Sequence, residues 1–510
     1  MIPGNTPVII GVGQYSERVG EPGYEALSYM DLAGRALQAA IKDAGAAGDV
    51  AGSIDTLAAI RQFEISRPDS PSPFGRTDNP PRSIAQRVGA NPKRAILEKT
   101  GGNGNQRLVG ELAAEIASGR SEVAAIAGSE AVSTVRNLLE KGEKRDWSEH
   151  VNGEIEDRGY GLEQIIEREL LAHGAGRPIA GYAILENARR RRLGLSLDEY
   201  RHHIGELFAP FTRIAANNPH SASPVERSAD ELAAVTARNR IVAEPYTRMT
   251  VSRDQVNQAA AVIIASAAKA RELGVPEEKW VHIHAVTSVE ELPVLARPDL
   301  SRSPAAILSL ECALNLVGRE MNEMAYLDFY SCFAIPVFNV IDHFSISQDD
   351  RRGLTLTGGL PFFGGAGNNY STHAIAEAVG RCRADRGAYA LVGANGGVMG
   401  KYATGIYSTE PADWSASPPF NEPETGEEGI PYASQSMGRA TVESYTINHG
   451  RDRSDAIFIG RNAAGERVCG NADMSDEPTR ALFESGDPFG AKLAITQDEH
   501  RRNIGRLASI

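Results

Sequence analysis

No cysteine occurs before position 312 in this 510-residue chain, and the four present, Cys312, Cys332, Cys382 and Cys469, form no Cys-x-x-Cys pair. That usage excludes a secreted disulfide framework and fits a reducing cytosol, so a cytoplasmic protein is expected. Net positive charge is lacking as well. The formal charge is −13 with a pI near 5.5. Broad binding to a phosphate backbone needs a basic face that displaces counterions, so nucleic acid is not expected as the main partner. Long apolar runs are absent: the stretch 259–268 is about half of what a bilayer crossing needs, and no membrane span is expected. The start, Met1-Ile2-Pro3-Gly4-Asn5, has neither a basic n-region nor an apolar h-region, so no signal peptide is expected. His282 and His284 alternate on one face of a strand-like run, but no third ligand lies near them, and no metal is expected. Gly11-Val12-Gly13 lacks the third glycine of a dinucleotide fingerprint, which argues against NAD.

What is present is enough apolar residue, 42% beside 23% charged, for two or three cores. Residues 8–12 read as a buried strand, 28–44 as an amphipathic helix ended by Gly45, and 54–60 and 94–97 as further strands. Strands alternating with helices predict a parallel sheet covered by helices. Two stretches about 265 residues apart resemble each other: a small-residue loop near Asn103 opens a helix followed by the strand 123–128. Another near Gly367-Asn368-Asn369 opens a helix followed by the strand 389–393. The pair predicts a duplicated α/β fold. Between the halves, 187–240 is helical in pattern, rich in charge and broken at Asn217-Asn218-Pro219, and it reads as a mostly solvated insertion. A Pro/Gly/Glu-rich linker, 411–431, precedes short alternating segments over 441–496, which predict a small separate β-rich domain.

Four loops sit where α/β folds place their chemistry. They are Thr100-Gly101-Gly102-Asn103-Gly104-Asn105-Gln106, Tyr330-Ser331-Cys332-Phe333, the glycine-rich run 358–369, and Gly393-Ala394-Asn395-Gly396-Gly397-Val398-Met399-Gly400. Supporting stretches are Ser129-Glu130-Ala131 and Asn257-Gln258-Ala259-Ala260-Ala261. In order and spacing these loops resemble the active-site loops of the thiolase superfamily, in particular its SCP2-thiolase branch and the type 1 thiolase-like proteins. The resemblance covers about residues 6–408, and the last hundred residues resemble the extra domain of the type 1 group. It implies a duplicated thiolase fold, layered α-β-α-β-α, with a first half over 1–268 that includes an inserted loop subdomain at about 133–245. A second half over 269–410 and an additional β-rich domain over 411–510 complete it.

Under this resemblance the family's nucleophilic cysteine falls on Gly101, with Asn103 and Gly104 matching the next positions. Its Gly-His-Pro histidine falls on Gly365, after Gly364, and its second cysteine on Ala394, with Gly396 and Gly397 retained. Thiolysis needs a thiolate and acid/base groups, and none stands at those positions. What the resemblance leaves is backbone: the amides of Gly101 and Gly396 as an oxyanion hole for a thioester. Tyr330 is a candidate acid or base, as in cysteine-less relatives that act as aldolases. Ser331 and Cys332 stand in the same loop, where Cys332 reads by default as a small buried hydrophobe. His373 is a candidate replacement for the lost histidine, against a plain helix-face role. Asn103, Gly104, Gly364, Gly365 and Gly397 are the expected substrate contacts, and Arg189 and Arg190, in the run Arg189-Arg190-Arg191-Arg192, are expected to meet coenzyme A phosphates or else to be a solvated face. No bound cofactor is expected; a coenzyme A thioester is the expected substrate or ligand, and a homodimer the expected assembly. Three functions stay open: acyl-CoA acyltransferase chemistry of lipid metabolism, carbon-carbon lysis of a thioester, and acyl-CoA binding without catalysis.

Overall fold

The computed structural model describes residues 2–162, 167–415, 418–433, 438–450 and 454–508. The first half begins with strand β1 (Pro7–Ser16) and helix α1 (Tyr29–Asp43), whose start is fixed by Ser28: its hydroxyl accepts from the Asp31 amide while the Asp31 carboxylate returns to the Ser28 N–H. β2 (Thr56–Ala59), β3 (Arg94–Leu97), helix α2 (Gly104–Ala117) and β4 (Val123–Ala131) follow, and β5 (Glu156–Asp157) returns to pair with β3. The outer edge of β3 is thus covered by an acidic segment of the same chain, with Arg94 paired to Glu156 at 2.8 Å. The insertion supplies α3 (Pro178–Leu193), α4 (Leu197–Asn217) and a short hairpin, β6 (Ile241–Ala243) and β7 (Tyr246–Thr247). The half closes with β8 (Asn257–Ser266).

The second half repeats the plan with β9 (Val281–Glu290), α5 (Pro304–Val317), β10 (Tyr326–Asp328), α6 (Ala334–Phe344), α7 (Tyr370–Ala384), β11 (Tyr389–Gly396) and β12 (Lys401–Ser408). Strands of the two halves join through β1 and β9 into one sheet, ordered β10-β11-β12-β9-β1-β8-β4-β2-β3-β5. It is mixed, which corrects the expectation of a parallel sheet: along this order β10–β11, β4–β2, β2–β3 and β3–β5 run parallel and the other described pairs antiparallel. β8 and β12 return antiparallel onto their neighbours, a direction that hydrophobic runs do not encode. The duplication is as the repeat predicts, with α2 and α7 as the equivalent helices. They are packed together in the centre, where the Asn105 amide donates to Asn369 (3.3 Å) and Thr372 (2.5 Å).

A linker strand, β13 (Phe420–Asn421), pairs with β9 before the C-terminal domain. That domain holds β14 (Gly438–His449), β15 (Ser454–Asn462), β16 (Arg467–Ala472), helix α8 (Glu477–Glu484), β17 (Lys492–Gln497) and β18 (Asn503–Leu507). Pairings β14–β15, β15–β16, β16–β18, β18–β17 and β17–β14 close a five-stranded barrel with the strand order of an OB-fold. Alternation along β15 sorts its side chains by face: Phe458 fills the barrel, while Ile457 and Ile459, joined by Cys469 of β16, enter the core shared with the insertion and second half. The face with which such barrels hold oligonucleotides is therefore an internal joint here.

Two expectations change accordingly. The C-terminal domain is β-rich as expected and has a core of its own, but it is docked and not detached, because β6 extends its sheet at Ala243 and Asn448 and its β15–β16 face is buried. The insertion is not mostly solvated either: residues 180–187, 189 and 190 of α3 are all buried between barrel and second half. Arg190 makes the joint specific, donating to Asn187, Leu195 O and, across the boundary at 2.6 Å, Gly486 O. Arg190→Ala is expected to cost about 2–3 kcal/mol, the range for charge-assisted bonds to buried acceptors. Amide exchange over 438–508 should then quicken selectively; uniform exchange across the chain would contradict this role for Arg190.

Candidate functional site

The four sequence-predicted loops converge although they are spread over 300 residues. The Gly101 amide donates to Asn368 Oδ1 at 3.0 Å, and Ser371 Oγ donates to Gly102 O at 2.8 Å, so the loops before α2 and α7 are stitched to each other. A Cβ placed on Gly102 would lie 2.6 Å from both the Tyr330 hydroxyl and Asn395 O. One on Gly396 would lie 3.2 Å from Gly101 Cα and collide with Asn103 Oδ1, and one on Gly359 would lie 2.7 Å from Ser331 Oγ. Close approach of four backbones is what these glycines permit.

Within the cluster the side chains are buried and held neutral. Tyr330 packs edge-on against Tyr370 at 5.4 Å, and burial raises its phenol well above the usual range. The Cys332 thiol is pushed up to about 12 by burial, so at neutral pH it is no thiolate, in keeping with the buried-hydrophobe reading. The Asn395 carboxamide lies 4.0 Å from its sulfur and donates to the Tyr182 hydroxyl at 2.6 Å. Tyr182 is a residue that sequence reasoning missed. From α3 it reaches into the last glycine loop, donating to Gly397 O at 2.6 Å, accepting from the Met399 amide at 3.3 Å and stacking on Phe333 at 4.3 Å. Its setting among apolar helix residues carries no sequence signal.

Glu186, one turn further along α3, was missed for the same reason. Its carboxyl accepts from the Tyr200 hydroxyl (2.5 Å), the Tyr246 hydroxyl and the Ile335 amide (2.9 Å), the last at the start of α6, directly after the Tyr330–Phe333 loop. Burial raises it to about 7.

Several assignments are displaced by this geometry. The Gly101 N–H is already spent on Asn368, so the expected oxyanion pair with Gly396 is not free. Gly364 and Gly365 are packed against residues 252–258: a Cβ on Gly364 would lie 2.6 Å from Gln258 Oε1, and the Gly365 amide donates to Arg253 O at 2.7 Å. His373 is fully buried with Nδ1 2.7 Å from Gln14 Oε1 of β1 and its ring against Phe363; burial keeps it neutral, its pKa well below the usual histidine value. Arg189 holds Asp342 through two bonds (2.8 and 2.7 Å) beneath the Phe338 ring, so it and Arg190 form internal ties, neither a solvated face nor a free phosphate clamp. His282 and His284 are both pushed down to about 4 by burial, and among the described residues no cluster of three metal-ligating side chains occurs.

Space opens on the other side of Gly101. A cavity of about 830 Å³ is lined by Gly101, Asn103, Gly104 and Ser288, with Lys99 and Lys401 on its walls. The loop cluster of Tyr330, Cys332, Gly364 and His373 does not line it.

The duplicated halves, central helix pair and converging loops define a thiolase-superfamily scaffold. A crystal structure of a monomeric SCP2-thiolase-like protein type 1 from Mycobacterium smegmatis is 40% identical over 100% of both chains, with a TM-score of 0.84. Residues 425–500 match the additional C-terminal domain of thiolase-like protein type 1. The chain belongs to this type 1 family of SCP2-thiolase-like proteins. An aldolase, Ltp2-ChsH2(DUF35), shares the fold at 17% identity, 81% coverage of this chain and 100% of its own, and TM-score 0.56. The dimeric peroxisomal thiolase of Saccharomyces cerevisiae does so at 14%, 80%, 99% and 0.56. No curated protein sequence matches. Among the described residues no helix is long and apolar enough to cross a membrane.

Proposed function

We propose that this chain binds a coenzyme A thioester and does not take its acyl group into covalent linkage. The observation that carries the reading is the cavity of about 830 Å³ opening on Gly101, Asn103 and Gly104, the loop that by resemblance would present the acyl-accepting thiol. Helix α2 starts on that wall at Gly104, and the positive end of its dipole favours a carbonyl oxygen or a phosphate there. Lys99 and Lys401 add charge of the same sign. No activated nucleophile accompanies them: Gly101 and Ala394 have none, and the Cys332 thiol is buried and protonated. The phenol of Tyr330, held protonated by burial, is not the base that would begin a retro-aldol step, which weighs against carbon-carbon lysis.

Calorimetry with acetyl-CoA and acetoacetyl-CoA is expected to give saturable binding, with the intact mass of the protein unchanged after incubation. An acetyl adduct on any cysteine would overturn the non-covalent reading, and the absence of binding by every thioester tried would overturn the ligand.

A further inference from the structure

The cavity beside Gly101 is lined on one side by a segment that follows the linker strand β13. Residues 422–428, Glu422-Pro423-Glu424-Thr425-Gly426-Glu427-Glu428, carry four carboxylates in seven residues, and all four glutamates are exposed. The segment is fastened at both ends. Phe420 and Asn421 pair with β9, and the Phe420 ring fits against α2 where Gly110 has no side chain. At the other end the Ile430 amide donates to Ala296 O at 2.8 Å. Between these anchors the Glu427 amide turns inward to Thr425 Oγ1 at 3.5 Å, a bond within the segment itself.

Charge gives this segment a consequence. The fixed walls hold four cations, Lys99, Arg107, Arg158 and Lys401, against three carboxylates, Glu98, Glu111 and Glu290. Glu422, Glu424 and Glu427 line the same cavity, and their addition turns a weakly positive hollow into a negative one. On the far side, Thr425 borders a second cavity of about 340 Å³ whose walls include Arg192 and Arg302. The segment is a ridge between two hollows, and on the side away from Gly101 the cations Arg192 and Arg302 are matched by Glu311 and Asp342, with Arg192 paired to Asp342 at 2.9 Å.

We infer that residues 422–428 form an acidic strap that competes with anionic ligands for the cavity beside Gly101 and is displaced from it when coenzyme A phosphates enter. This rests on the reading that the cavity takes a coenzyme A thioester. The place of Glu427 agrees with it: partial desolvation at the cavity rim and the neighbouring Glu291 carboxylate push its carboxyl up.

The test titrates acetyl-CoA, coenzyme A and ADP into the full chain and into the variant E422Q/E424Q/E427Q, whose exposed substitutions leave the fold intact. The variant is expected to bind each probe about fivefold tighter, the scale of a few exposed like-charge interactions. In the unmodified protein, saturating coenzyme A should speed cleavage by a glutamate-specific protease after Glu424 to Glu428. Equal affinities in the two proteins, or protection of the segment by bound ligand, overturn the strap. Acetyl-CoA binding with equal affinities leaves the proposed function standing without the strap. ADP binding that tightens in the variant while acetyl-CoA binds neither protein supports the strap and removes the thioester. Binding of no probe to either protein removes both.

Discussion

Glu186→Ala is expected to lower stability by about 4 kcal/mol, the largest effect of any single substitution considered for this chain. Three buried donors, the hydroxyls of Tyr200 and Tyr246 and the Ile335 amide, lose their acceptor at once. Each unsatisfied buried group costs about 1–3 kcal/mol. The Ile335 amide begins α6, so the Tyr330–Phe333 loop should loosen as well, which amide exchange at 333–337 would report. Chemical denaturation measures the energy; a loss below about 1 kcal/mol would show that these donors find water instead.

Glu186→Gln gives the same site a pH signature. The Glu186 carboxyl is raised from 4.5 to about 7, first of all by burial. A folded-state pKa above the unfolded one means that the stabilising contribution is complete below about pH 4.5 and is lost as pH rises through about 7. Glutamine does not titrate. Between pH 4.5 and 7.5 the stability difference should therefore move in favour of the glutamine variant by about 3 kcal/mol, at 1.36 kcal/mol per pKa unit. A difference independent of pH, measured by denaturation at both ends of that window, would refute the buried protonated state.

Gly101→Cys is expected to restore no acyl transfer, although by resemblance it returns a thiol to the family's nucleophile position. Gly101 has a φ of +144°, a region that side-chain-bearing residues avoid, and a Cβ there would lie 2.7 Å from Asn103 Oδ1. Strain of this kind costs about 1–3 kcal/mol. The introduced thiol would point into the Asn103 carboxamide, and the local N–H that would stabilise an oxyanion is spent on Asn368. Intact mass after exposure to acetyl-CoA should show no adduct, with a stability loss of about 2 kcal/mol. A stable variant acetylated at the new thiol would mean that the loop rearranges with ease and that only the side chain is missing.

Much of the architecture was legible because it is local. The small-residue loop, helix and strand recur at Asn103 and at Asn368, and both became a central helix followed by a buried strand, α2 with β4 and α7 with β11. The short alternating segments over 441–496 became strands of the barrel, and the amphipathic pattern over 28–44 matched α1 to within a residue at each end. The lack of any cysteine before position 312 also limited the chemistry before any coordinate was known.

Partners were not legible. Arg189 and Arg190 read as a charged helix face, yet their acceptors are Asp342, from the second half, and Gly486, from the barrel. Gly101 read as a free amide, yet its N–H donates to Asn368, 267 residues away. Tyr182 and Glu186 looked like ordinary helix residues until the fold laid α3 across the glycine loop and the start of α6. Periodicity, the helix end at Gly45, the duplicated units and the absence of an early thiol are all written in neighbouring residues or in the composition, so they could be read along the chain. Strand direction, the sharing of β6 and β7 with the barrel, and the satisfaction of each donor became visible with the packed fold. A hydrogen bond requires two groups within about 3 Å, and chain periodicity does not specify which distant segment supplies the second.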